Sequence, residues 1–279
     1  MSDILTPVLV DGEPLPVETA TISVLDIGFQ RGYGCFEAMR AYNGTVFRLE
    51  QHLDRLRSSA KALEIPLPAD PELASWSASA AKLAGGDSVV RVFVSGGVDL
   101  TKPGMGSTTV VFAEAVPTGP GVLTVEPRPA PWHPDGQRSE LTGVKSLSYG
   151  PNLAASLASQ RAGYDDALLI GRSGTVLEGP TFSIGWLVGR KLFTPSLDLG
   201  ILASITRAAA LEIARAVSVD IEEGRFPLDA VLGADEVFAM STVKEVMPVT
   251  SVGSAGFSEG SVTADLAAAF TTLVEAEVG

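Results

Sequence analysis

The chain has 279 residues, enough for one large domain or two modest ones with ample core. It is 46% hydrophobic and 19% charged, a globular and not a disordered composition, and no apolar run reaches the roughly eighteen residues of a membrane span. A formal charge of −13 repels phosphate backbones, so neither nucleic acid nor membrane is expected as a partner.

The opening Met1-Ser2-Asp3-Ile4 lacks the basic-then-apolar layout of a secretory signal, and a cytoplasmic location is expected. Residues 8–10 and 21–24 read as strands around the turn-rich Asp11-Gly12-Glu13-Pro14. Gly28, Gly32 and Gly34 mark a bend before a strand over 35–40. Leu49, Leu53, Leu56, Ala60 and Leu63 recur at steps of three and four and predict a helix over 49–63. A second helix is predicted over 70–83, capped near Asp70 with Pro71 in its first turn. Strands over 88–94 and 108–115 flank a polar loop, and Pro117-Thr118-Gly119-Pro120-Gly121 is the expected linker. Beyond it, strands are predicted over 122–125, 167–170, 182–188, 236–240 and 245–252. Helices are predicted over 152–162, 205–217 and 262–276. Strands and helices mix without strict βαβ alternation, which implies an α+β fold in two lobes.

Hydrolase and P-loop signatures are absent, and Gly32-Tyr33-Gly34 is only a fragment of a dinucleotide fingerprint. One cysteine, Cys35, excludes an internal disulfide; with only His52 and His133 beside it, a metal site is not expected. The lysines therefore matter more. Lys145 sits among apolar and small residues, Leu141-Thr142-Gly143-Val144-Lys145-Ser146-Leu147, just before a helix. A lysine desolvated there becomes a nucleophile toward a carbonyl; a lysine snorkelling from a strand end is the structural alternative. Ile205-Thr206-Arg207 opens a helix whose N–H groups suit a phosphate, or is simply capped by Ser204 or Thr206. Glu178, before Gly179-Pro180, is either a surface acid or a partner for a protonated heterocyclic nitrogen.

Taken in order, these segments resemble the fold-type IV, class IV aminotransferases that use pyridoxal phosphate. That family includes D-amino acid and branched-chain aminotransferases, R-selective amine transaminases and aminodeoxychorismate lyase. The resemblance rests on Asp26-Ile27-Gly28-Phe29-Gln30-Arg31-Gly32-Tyr33-Gly34-Cys35-Phe36-Glu37, on Phe47-Arg48-Leu49-Glu50, and on Val144-Lys145-Ser146-Leu147-Ser148-Tyr149. Leu177-Glu178-Gly179-Pro180, Ile205-Thr206-Arg207 and Ala234-Asp235-Glu236-Val237-Phe238 complete it. It implies a smaller N-terminal α/β domain over 1–116, a linker over 117–121, and a larger pseudo-barrel domain over 122–279 that binds the cofactor. It implies further that Lys145 bonds the cofactor and moves the proton between Cα and C4′, and that Glu178 pairs with the pyridine nitrogen. Arg48, Ile205, Thr206, Ser241 and Thr242 would hold the phosphate. Tyr149 would touch the ring oxygen, or pack as a buried aromatic, and Phe36 would line the substrate pocket or fill core. A homodimer acting on small amino acids and 2-oxo acids is expected.

Three positions depart from the family's usual residues: Ser148, Ser183 and Ser204. For substrate choice, Arg31 and Arg91 are expected to clamp the α-carboxylate across the dimer interface; the alternative for both is a structural ion pair with a nearby Asp or Glu. The loop 98–103 lacks the Arg-x-His carboxylate trap of well-known D-amino acid enzymes. Val89 stands where branched-chain enzymes show tyrosine. Ser241-Thr242-Val243-Lys244 is more similar to the D-specific and lyase branches. A D-amino acid aminotransferase is therefore favoured, followed by a branched-chain L-amino acid enzyme, then aminodeoxychorismate lyase or an R-amine transaminase.

Overall fold

Apolar side chains repeat at strand spacing along residues 35–41 and 88–94, and these two stretches become the centre of the first sheet. In the computed structural model, which describes residues 3–279, β1 (Val8–Val10) and β2 (Glu13–Leu15) form a hairpin closed by Asp11-Gly12. Then come α1 (Ile27–Arg31), β3 (Gly34–Tyr42), β4 (Thr45–Val46), α2 (Leu49–Ala62), α3 (Asp70–Ala84), β5 (Ser88–Ser95) and β6 (Thr109–Ala115). The six strands run β2-β1-β6-β5-β3-β4, with every neighbouring pair antiparallel. Residues 3–118, Val144–Tyr149 and Glu277–Gly279 make this first unit. Its core joins Leu53, Leu56 and Ala60 of α2 and Leu73, Ala80 and Ala81 of α3 to Met39, Val90, Val92 and Ala113 of the sheet. Each such leucine, fully buried, contributes about 1.5–3 kcal/mol.

The second unit comprises Gly119–Gly143 and Gly150–Ala276. It carries β7 (Leu123–Pro129), α4 (Gly150–Arg161), β8 (Asp166–Ile170), β9 (Ser183–Val188), β10 (Lys191–Pro195), a 3-10 turn (Leu197–Leu199) and α5 (Ile205–Ala216). β11 (Asp220–Gly224), α6 (Leu228–Leu232), β12 (Glu236–Ser241), β13 (Glu245–Val252), β14 (Ala255–Gly256) and most of α7 (Ser261–Val278) follow. The strand order is β11-β10-β9-β12-β13-β7-β8, with β14 on β13, and the pairs β10–β11, β13–β7 and β7–β8 are parallel. Trp186, Ile184, Val237, Ala239, Val249 and Leu168 fill its core. No helix among the described residues is long and apolar enough to cross a membrane.

Two local expectations are corrected. Residues 21–24 form no strand. Their alternation finds no partner strand, and Ile22 and Val24 remain 52% and 72% exposed. The N-cap of α3 is Ala69, without a side-chain hydrogen bond, although Pro71 does occupy the first turn.

Candidate active site

The lysine segment is held as an extra strand against β3. Phe36 N–H donates to the Lys145 carbonyl at 3.0 Å and Leu147 N–H to the Gly34 carbonyl at 2.9 Å, around an antiparallel bridge between Cys35 and Ser146. From α2, Ser59 Oγ accepts from Lys145 N–H at 3.1 Å. The glycines explain how the segment comes so close. Gly32 ends α1 with φ of 65°, in the left-handed region. A Cβ on Gly34 would stand 2.5 Å from the Val94 carbonyl and 2.6 Å from Leu147 Cδ1. Gly34→Ala is therefore expected to cost about 1–3 kcal/mol by overpacking and to loosen the lysine segment. Chemical denaturation and amide exchange at Leu147 would show both effects; wild-type protection would mean the approach is not tight.

The Lys145 side chain folds over aromatic rings. Its Nζ lies 4.2 Å from the Phe36 ring centroid and 5.9 Å from that of Tyr149, and these two rings meet edge-on at 5.4 Å. Phe36 stacks in turn on Phe93 at 5.8 Å. The amine is thus positioned by ring faces, a cation–π setting that limits its hydration.

Beneath the segment lies a buried polar cluster that sequence reading missed. Glu37, fully buried on β3, receives Arg55 Nε at 2.8 Å and Nη2 at 2.6 Å, and His52 Nδ1 lies 3.4 Å from its Oε1. His52, Arg55 and Ser59 project from α2 at steps of three and four, one ridge that binds both β3 and the lysine segment. Burial alone would raise the Glu37 carboxyl; the Arg55 guanidinium and His52 outweigh it and hold the group far below the usual carboxylate range. Burial pushes the His52 imidazole below its ordinary value, assisted by Arg55 and Lys145 against the pull of Glu37. Burial, with the Glu37 charge, pushes the Cys35 thiol up to about 12, so it is no nucleophile at neutral pH. The signal available in the sequence was an acid inside the apolar run 35–41.

The second unit holds the acid and a helix start. Glu178, half-buried, accepts from Leu202 N–H at 3.3 and 3.2 Å on its two oxygens, and His133 Nε2 lies 3.7 Å from Oε1. Ser204 caps α5, its Oγ accepting from Arg207 N–H at 3.2 Å. That leaves the N–H groups of Ile205 and Thr206 in the unpaired first turn. Ser241, at the end of β12, takes the Lys244 N–H at 3.0 Å, so Ser241 and Thr242 sit in a tight turn before β13. The Lys244 amine reaches Thr181 Oγ1 at 3.2 Å and the Phe182 ring at 5.4 Å; burial lowers it from its ordinary value against the pull of Asp166 and Asp165.

The arginines are arranged differently from one another. Arg91 Nε and Nη2 bind Glu114 Oε1 at 2.7 and 2.6 Å, the ion-pair alternative. Arg31 is exposed at the end of α1, Nη1 donating to the Gln30 carbonyl. Arg48, in the left-handed region at the N-cap of α2, binds Glu277 through Nε at 3.2 Å and Nη2 at 3.0 Å.

The family whose model matches this chain is described as amino-transferase class IV. The model of that family matches residues 34–252. This chain belongs to the class IV aminotransferase family. Among its relatives is a protein of Methanocaldococcus jannaschii named a putative branched-chain-amino-acid aminotransferase, 31% identical, the alignment covering 88% of this chain and 87% of the relative. Another is the aminodeoxychorismate lyase of Bacillus subtilis, 27% identical over 97% of this chain and 94% of the lyase. The solved fold IV transaminase CpuTA1 of Curtobacterium pusillum superimposes with a TM-score of 0.86 at 26% identity, covering 95% of this chain and 92% of that one. The α+β architecture is that of fold-type IV, and class IV aminotransferases use pyridoxal phosphate.

Proposed function

We propose that this class IV aminotransferase moves the amino group of an amino acid, D-amino acids being favoured, to a 2-oxo acid such as 2-oxoglutarate or pyruvate. The Lys145 amine, locked by its backbone to β3 and Ser59 and seated over Phe36, is the observation that carries the transaminase reading.

Each unit by itself carries groups whose chemistry suits a part of pyridoxal phosphate. Lys145 supplies an amine for its carbonyl carbon, and Glu178 a carboxylate already oriented by Leu202 N–H for its ring nitrogen. The first-turn N–H groups of Ile205 and Thr206, the hydroxyls of Ser241 and Thr242, and the Arg48 guanidinium are donors for its phosphate, Arg48 exchanging Glu277 for that anion. Bound there, the cofactor supplies an electron sink for the carbanion formed at the substrate α-carbon. Lys145 Nζ would take the proton from the substrate α-carbon and deliver it to the cofactor's former carbonyl carbon. Glu178 keeps a proton on the ring nitrogen by accepting its N–H. Tyr149 and Phe36 flank the amine and keep water from it.

Ser241-Thr242-Val243-Lys244, more similar to the D-specific and lyase branches than to the branched-chain one, supports D-amino acids over branched-chain substrates. Arg31 is assigned to the substrate carboxylate, its exposed guanidinium free to reach past α1 while Arg91 is engaged by Glu114. A homodimer is supported by Ile22, Val24, Leu25 and Phe29, large apolar residues 52–72% exposed on the first unit.

Protein loaded with pyridoxal phosphate, mixed separately with D-alanine, D-glutamate, L-leucine, L-glutamate and an R-amine, tests the reading through the visible absorbance band. Bleaching by the D-amino acids is the expected result. Bleaching by L-leucine alone would reassign the protein to the branched-chain group, and failure to develop a band with added cofactor would end the transaminase reading.

A further inference from the structure

We propose that His133 is a positioning residue for Glu178, an inference that rests on the transaminase reading above. The imidazole is hydrogen-bonded at one nitrogen and turns the other toward Glu178. Asp135 N–H donates to His133 Nδ1 at 3.3 Å, so Nδ1 is the acceptor and this geometry selects the tautomer with its proton on Nε2. That Nε2 faces Glu178 Oε1 at 3.7 Å, with the two side chains only 9% and 14% exposed. The separation is longer than a hydrogen bond, the kind of contact that tightens when the site is filled.

The loop that carries His133 is fixed from several directions within the second unit. Ala130 N–H donates to the Ile170 carbonyl at 2.8 Å, and Gly136 N–H to the Leu199 carbonyl at 2.9 Å. Asp135 Oδ2 accepts from Ser173 N–H at 2.8 Å and from Ser173 Oγ at 2.7 Å. These contacts tie the loop to the 170–175 turn and to the 197–202 stretch whose Leu202 N–H also holds Glu178. Glu178 is thus held by a backbone amide on one side and faced by a buried imidazole 3.7 Å away on the other, each fixed by its own scaffold. Closing that gap would give the carboxylate a second donor and one orientation in which to accept the N–H of a ring nitrogen. A surface acid before a Gly-Pro turn needs neither.

Two variants separate this role from a purely structural one. His133→Asn keeps an amide near the Nδ1 position for Asp135 but loses the donor toward Glu178; His133→Gln keeps a donor near Nε2. His133→Asn is expected to weaken pyridoxal phosphate binding about tenfold and to shift the band of the loaded protein, whereas His133→Gln stays within about twofold. In the cofactor-free protein, nitrogen-15 spectra of the His133 ring should show the tautomer with its proton on Nε2 and Nδ1 as acceptor. The reverse tautomer, or His133→Asn binding the cofactor as the wild type does, would overturn the proposal. So would His133→Gln losing more affinity than His133→Asn, since that ranking marks the Asp135 contact as the one that matters. A wild-type protein that binds no pyridoxal phosphate would instead overturn the functional reading, while the tautomer measurement would still report on the His133 geometry.

Discussion

Lys145→Ala is expected to lower kcat by a factor of about a thousand or more while leaving the fold intact. Proton transfer by a positioned side chain accounts for about 10²–10⁴ in rate, and the proposed function gives that transfer to Lys145. The fold should tolerate the change because the contacts that hold this segment come from its backbone. The carbonyl still accepts from Phe36 N–H, and the amide still donates to Ser59 Oγ. Loss of the Nζ contacts with Phe36 and Tyr149 costs about 1–2 kcal/mol, less than unfolding requires. Steady-state rates together with the unfolding midpoint test both halves. Retained turnover would remove Lys145 from its role, and a collapsed midpoint would make the lysine structural.

Glu37→Leu is expected to destabilise the protein by about 3–5 kcal/mol, because Arg55 is left buried without its counter-charge. The double change Glu37→Leu with Arg55→Leu should recover a large part of that loss, since two apolar side chains replace a buried pair. Denaturant titrations of the two single variants and the double variant give the coupling. A double variant no more stable than Glu37→Leu would show that the pair is not the unit that matters. The pH dependence follows from the same cluster. The folded state holds Glu37 well below its unfolded value near 4.3, so its stabilisation is present above that pH and lost as pH falls. His52 is also lowered by folding, so the unfolded chain takes up its proton first and stability begins to erode as pH drops through about 6.5. Both act in the same direction. The melting temperature should fall from neutral pH downward and steepen below about pH 5, and the steep part should be shallower in Glu37→Gln. Equal acid limbs in the two proteins would count against Glu37 as the source.

The sequence by itself determined the elements whose pattern is local. Apolar side chains at steps of three and four gave α2, which spans Leu49–Ala62 and buries Leu53, Leu56 and Ala60. Runs of valine gave β5, and the ordered series of motifs gave the family that the match over 34–252 shows. Such signals survive because each needs only a few neighbouring residues. Tertiary structure decided the rest. Asp220–Gly224 is polar enough to read as a loop, yet it is β11, because it pairs in parallel with β10 and sets Glu222 2.7 Å from Lys191. Residues 21–24 alternate like a strand and form none, because the chain offers them no partner. Arg91 reads in the sequence as a substrate clamp or as half of an ion pair, and only the sheet places Glu114 of the next strand 2.6 Å from it. Glu37 and Arg55 are 18 residues apart, Lys145 and Ser59 86 apart. Charge pairing and hydrogen bonding act through space over a few ångströms, so only the packed chain shows which polar groups meet.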